Sequence, residues 1–194
     1  MKRTLLATLL ATLLAAGIAL PASAASINYN SNLQNGVPVA GVINQGAGNE
    51  SNPVGAEYYS FFANAGDSVT VIGDRLDGAF DMSFWLFRGL FTDTSAFAGG
   101  AGSGFDSGDA GYIAFADDND PANIPGPFGD PRWVFNAPAS DFYTIAVTNF
   151  LSDTNTPPPY DFELVARGIQ NVPEPASLAL LGLGLVGLGM MRRK

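Results

Sequence analysis

Apolar and polar residues alternate through residues 141–149. Tyr143, Ile145 and Val147 fall on one side, and Thr144, Ala146 and Thr148 on the other. A period of two marks a β-strand, whose successive side chains point to opposite faces. Shorter runs rich in Val, Ile, Phe, Tyr and Thr recur at residues 57–63, 68–72, 81–87, 112–116, 132–135 and 160–167, with Phe162 and Leu164 on one face of the last. Clusters of Gly, Pro, Asn and Asp separate them, which is the all-β pattern. Residues 27–43 can add one or two edge strands. No segment between residues 25 and 172 sustains a 3.6-residue apolar period. The pattern predicts a single all-β domain, a β-sandwich of about eight strands. Asn64-Ala65-Gly66-Asp67 reads as the turn of a hairpin between the strands at 57–63 and 68–72, with Gly66 supplying positive φ. Residues 95–111 hold six of the chain's 23 glycines and are expected to be mobile. Residues 117–131 form a second loop, rich in Pro and Asp. Pro157-Pro158-Pro159 marks a stiff extended link.

The two ends follow a different pattern. Lys2-Arg3 precedes an apolar run over residues 5–20, and Pro21-Ala22-Ser23-Ala24 ends in a small-x-small site. This is the layout of a secretory signal peptide, residues 1–24, cleaved after Ala24. The alternative is a transmembrane helix, which the polar Ser26 and Asn28 just beyond disfavour. At the other end, Pro173-Glu174-Pro175 is followed by a Gly/Leu-rich run over residues 176–191 and then Arg192-Arg193-Lys194. Sixteen helical residues reach ~24 Å, short of a ~30 Å hydrocarbon core. Such a helix spans only with local thinning and snorkelling of its basic end. The three cations favour the cytoplasmic side. The prolines hold Pro-Glu-Pro extended outside the helix, open to a processing enzyme. Physics alone leaves a plain C-terminal anchor as the alternative. The order of the three parts, residues 172–194, resembles the PEP-CTERM sorting signal of Gram-negative bacteria. The resemblance implies processing by an exosortase and an association with exopolysaccharide and biofilm.

Composition narrows the chemistry of the body, residues 25–172. Of nine Lys+Arg, five lie in the two ends, whereas only Glu174 of the 18 acids does. The body therefore sets four arginines against 17 acids, a net charge of −13. So acidic a body repels phosphate backbones, which excludes nucleic acid as a partner. It contains no lysine, histidine or cysteine. Disulfides, the common zinc and copper sites, and Ser-His-Asp, Cys-His and Ser-Lys catalysis all lack their side chains.

Asp117, Asp118, Asn119 and Asp120 form the densest group of oxygen ligands, with Asp130 placed to complete a cage. Calcium takes six to eight oxygens, which carboxylates, Asn and loop carbonyls supply. The spacing is not that of an EF-hand, and a solvated acidic turn is the alternative reading. Asp74, Asp77 and Asp81 form a second, weaker set around Gly73 and Gly78. Trp133, just after Pro131, is the aromatic residue best placed to meet a sugar; Trp85, Tyr58, Tyr59 and Tyr143 read as core. No catalytic residue is assigned. Gly182-x-Gly184-x-x-Gly187 lies in an apolar run with no preceding strand, so it is no dinucleotide motif. Asp93-Thr94-Ser95 and Asp106-Ser107-Gly108 lie too close together to serve two protease lobes.

The body also resembles the bacterial pre-peptidase C-terminal (PPC) domain, over roughly residues 55–168. The likeness rests on Tyr58-Tyr59-Ser60-Phe61 with residues 65–71, on Asp81 and the apolar strand after it, and on residues 113–118 ending in a double Asp. Residues 137–143 and 160–164 continue it, although Asp141 stands where that family has Gly. The resemblance implies a jelly-roll-like β-sandwich that binds calcium or glycans rather than catalysing. Residues 25–54 would then be an extension or edge strands, residues 169–175 a linker, and residues 176–194 the sorting helix with its basic end.

Together these observations lead to an exported, non-enzymatic surface or matrix protein. Signal peptidase and an exosortase process it, it passes transiently through the inner membrane, and anionic exopolysaccharide is a candidate partner. The alternatives are a calcium-dependent carbohydrate-binding accessory module and an acid-based glycosidase.

Overall fold

The computed structural model describes residues 24–44, 46, 51–78, 80–97, 104–120, 128–152 and 157–171. The expected signal peptide, apart from Ala24, and the sorting tail beyond residue 171 lie outside the described residues. So does Asn155 in the link before the three prolines.

Among the described residues nine strands form two packed sheets. They are β1 (Tyr29–Asn32), β2 (Val39–Ile43), β3 (Glu57–Ala63), β4 (Ser68–Arg75), β5 (Phe80–Arg88), β6 (Tyr112–Ala116), β7 (Arg132–Asn136), β8 (Asp141–Ser152) and β9 (Tyr160–Arg167). One sheet runs β1-β3-β8-β5-β6 and the other β2-β9-β4-β7. All pairings are antiparallel except β1 with β3. The N-terminal segment supplies an edge strand to each sheet. The packed body continues past β9: Ile169 is buried, and Gln170 donates its N–H to the Phe62 carbonyl at 2.9 Å.

Most connections cross from one sheet to the other, and this corrects the expected hairpin. The turn at 64–67 forms as expected: Asp67 donates to the Asn64 carbonyl at 3.0 Å, and Gly66 has φ 88°. Yet β3 pairs with β1 and β8, while β4 pairs with β7 and β9. The turn arches between the two layers instead of returning a strand beside its neighbour. Both strands carry inward apolar residues (Tyr59, Phe61, Val69 and Val71), and an arch places those faces against each other across the core. Asp141, in place of the family's Gly, starts β8 without positive φ and faces Arg88 at 3.5 Å.

The main core lies between the sheets and is filled by residues such as Phe61, Phe84, Tyr143, Phe162 and Leu164. A second, aromatic core covers the outer face of the five-stranded sheet. Phe87, Phe97, Phe105 and Tyr58 pack there with Ile27 and Ala146. Phe97 comes from a short 3₁₀ turn, Thr94–Phe97. Phe97 and Phe105 therefore bring the described ends of the glycine-rich loop into the packed body, at 1% and 4% exposure. That cover explains why Thr144 and Ala146, on the polar phase of β8, are as buried as Tyr143 and Ile145.

Candidate metal centre

Asp81 lies on β5 between Phe80 and Met82, both of which face the main core. Alternation turns it to the other side, where Asp117 follows the end of β6. One carboxylate oxygen from each of Asp81, Asp117 and Asp118 lies within 4.8 Å of the others. Asp81 is 1% exposed, and among the described residues its Oδ1 has no hydrogen-bond partner. Asp117 is half-buried and Asp118 exposed, so the group opens from a closed floor to solvent.

A frame of backbone contacts holds it. The Asp117 N–H donates to Asn119 Oδ1 at 2.9 Å, and Asp118 Oδ1 accepts the Gly129 N–H. Asp120 and Asp130 exchange backbone hydrogen bonds at 2.9 and 2.8 Å. A Cβ at Gly129 would stand 2.9 Å from the Asp118 Cα, so only glycine lets the two loop segments close.

Arg75 anchors the frame. It sits in β4 on the inward phase of Val69, Val71 and Gly73, and it is fully buried. Its Nε is 3.4 Å from Asp130 Oδ1, and its backbone N–H donates to the same oxygen at 3.3 Å. Its guanidinium donates to the carbonyls of Gly78, Phe80 and Phe128. One cation thus fastens the β4–β5 turn to the loop that presents Asp118.

The acids singled out in the sequence are therefore divided differently. Asp81 leaves its expected companions and joins Asp117 and Asp118. Asp130 is turned to Arg75, Asp120 pairs with Arg132 at 3.2 Å, and Asn119 braces the loop. Asp74 pairs through its backbone with Glu163, and Asp77 accepts the Phe80 N–H at 3.2 Å; neither is in the group of three. Trp133 turns inward and packs half-buried against the main core, while its outward neighbour Val134 is 54% exposed. The strand's alternation, not the preceding proline, sets its direction. The protease-like triplets are turn devices: Asp93 accepts the Ser95 N–H at 2.9 Å, and Asp106 accepts the Gly108 N–H at 2.8 Å. Arg75 was missed in the sequence, although a charged residue on the inward phase of an apolar strand was a readable sign.

The electrostatics follow from this placement. Burial, then the charges of Asp117 and Asp118, push the Asp81 carboxyl up to about 7, with Arg75 partly opposing. A cation among the three would relieve that cost. Oxygens within 4.8 Å of one another fit on a calcium coordination sphere ~5 Å across. The donors are all hard oxygens, as in a chain with no His or Cys they must be.

Residues 171–194 match the PEP-CTERM protein-sorting motif. The chain carries an exosortase sorting signal. A PEP-CTERM protein is exported, held transiently in the membrane and sorted to the cell surface. Among the described residues no helix is long and apolar enough to cross a membrane. No curated protein matches the chain. Similar solved structures include the surface-associated copper-binding protein CorA of Methylomicrobium album BG8. It is 12% identical with a TM-score of 0.54, covering 75% of this chain and 99% of that one. A pre-peptidase C-terminal domain of a Bacillus anthracis collagenase is also similar, at 12% identity and a TM-score of 0.42, covering 74% and 100%. So is the copper-binding secreted protein MopE of Methylococcus capsulatus, at 12% and 0.46, covering 77% and 90%. At such identity the CorA likeness establishes a shared β-sandwich fold and nothing of its metal.

Proposed function

We propose that this PEP-CTERM protein is a non-enzymatic component of the cell surface or extracellular matrix, whose acidic centre binds calcium. The observation that carries the metal reading is the buried Asp81 carboxylate, with one oxygen unpartnered, beside Asp117 and Asp118. Calcium suits it because the centre is built from oxygen-only donors, and extracellular calcium sites of ~10⁻⁴–10⁻³ M fill outside the cell. Bound calcium would hold the 117–120 and 128–130 segments together and could bridge Asp118, the exposed member, to an anionic exopolysaccharide.

The non-enzymatic reading rests on composition and on geometry. Asp81, whose carboxyl is brought near neutrality, is 1% exposed and closed to a glycosidic oxygen. That argues against the glycosidase alternative.

Calorimetric titration of the body, residues 25–171, with calcium tests the metal. The expected result is a single site of sub-millimolar to millimolar affinity and a melting temperature that rises with calcium. No heat and no rise at ~10 mM calcium would end the calcium reading. For the tail, we propose Pro173, Glu174 and Pro175 as the processing motif and residues 176–194 as the sorting helix. Changing all three to Ala is expected to leave an unprocessed form in the membrane fraction, detected by immunoblot. Normal release would show that the motif does not direct processing.

A further inference from the structure

The outer face of the five-stranded sheet carries a groove of about 460 Å³ at the β5–β6 edge. It is an open surface groove rather than an enclosed cavity. Aromatic rings form its floor and walls. Trp85 is 4.7 Å from Phe115, 5.6 Å from Phe105 and 6.0 Å from Tyr112, and Phe150 flanks Phe115 at 6.4 Å. Phe105 is buried and holds the set to the second core, whereas Trp85, Tyr112, Phe115 and Phe150 are each half-buried and present part of a ring to solvent. The exposed Asp106 and Ser107 line the same groove. A local turn orients them: the Gly108 N–H and the Ser107 hydroxyl both donate to Asp106 Oδ1, at 2.8 and 3.4 Å.

We propose that this groove binds carbohydrate, a neutral hexopyranose ring stacked on Trp85 and flanked by the Phe115 ring, tilted 50° to it, with its hydroxyls meeting Asp106 and Ser107. Sugar rings offer an apolar C–H face and an equatorial girdle of hydroxyls. The part-exposed Trp85 ring between tilted aromatic walls, with a carboxylate and a hydroxyl beside it, matches both features. An anionic sugar is disfavoured, because among the described residues the lining contains no cation and one carboxylate, on a body of net charge −13. Phe115 stands two residues before Asp117, about 7 Å along extended chain. The groove is thus a neighbour of the metal centre but is built from different side chains.

Trp133→Phe leaves Trp85 as the only tryptophan and hence the only reporter. The exported protein carrying this change, purified after processing, would be titrated with gluco-, manno- and galacto-oligosaccharides and with oligogalacturonate. Tryptophan fluorescence should change saturably with at least one neutral sugar, at a Kd of ~0.1–1 mM. Phe115→Ala should weaken binding about tenfold and Ser107→Ala, on the exposed rim, about threefold. The response should be the same in EDTA and in calcium, so failure of the calcium reading would leave it intact. Silence from every neutral sugar at ~10 mM would overturn the proposal, as would a response to oligogalacturonate alone or unchanged binding in the folded Ser107→Ala and Phe115→Ala proteins.

Discussion

Replacing Arg75 with methionine is expected to lower stability by about 3–5 kcal/mol, roughly ten degrees or more in melting temperature for a body of this size. Arg75 is fully buried and Asp130 is 2% exposed, so the substitution leaves a carboxylate in the interior without its countercharge. It also removes the donors to the Gly78, Phe80 and Phe128 carbonyls, which tie the β4–β5 turn to the 128–130 segment. The size of the effect comes from the orphaned charge more than from the lost attraction. Taking two charges out of water already costs most of what their pairing returns. Arg75→Met combined with Asp130→Leu should therefore recover a large part of the loss, measured by urea unfolding of the single and double variants. A double variant no more stable than Arg75→Met alone would show that the carbonyl contacts, not the ion pair, carry the cost. In either case the calcium affinity should fall, because Asp118 is held by Gly129, next to Asp130.

Asp81→Asn should act in opposite directions with and without calcium. The folded protein holds the Asp81 proton more tightly than the unfolded chain, because burial and two neighbouring carboxylates raise its pKa to about 7 from an ordinary value of ~4. Between those values the folded state binds more protons than the unfolded one, so stability falls as pH rises through that window. Without divalent cations the wild type should thus melt higher at about pH 5 than at about pH 8. Asn carries no charge to desolvate. Asp81→Asn should flatten this slope and stabilise the metal-free protein at about pH 8 by about 2 kcal/mol. Calcium should reverse the ranking, stabilising the wild type and leaving the variant unmoved. Thermal melts of both proteins at two pH values, in EDTA and in calcium, read all of this. A variant destabilised in EDTA, or one still responding to calcium, would mean that Asp81 is a structural acid rather than a ligand.

The sequence showed more of the strands than of their partners. Alternation at 141–149 and the apolar runs at 57–63 and 160–167 placed β8, β3 and β9 closely, because a strand's period is local. The turn at 64–67 was equally legible, since Gly66 supplies its positive φ. Whether that turn makes a hairpin or an arch is not a local property. It depends on which faces of β3 and β4 meet, and here both face a common core from opposite sheets. The anchoring of the two described ends of the glycine-rich loop was hidden for a similar reason, residues 98–103 between them lying outside the described residues. The loop's composition speaks for freedom, while two phenylalanines at its edges find a buried aromatic surface that only the folded sheet provides.

Taken alone, the sequence determined the all-β class, the acidic hard-oxygen chemistry and the sorting tail, because these reside in composition, short periods and a linear motif. It also located the 117–120 acids. Only the tertiary structure decided which acids act together. Pairing of β5 with β6 brings Asp81 beside Asp117 across 36 residues of chain, while the cation on β4 claims Asp130. Carboxylates in a loop are interchangeable until burial and a countercharge distinguish them. Here the burial of Asp81 and the position of Arg75 make that distinction, and both arise from how the sheets pack.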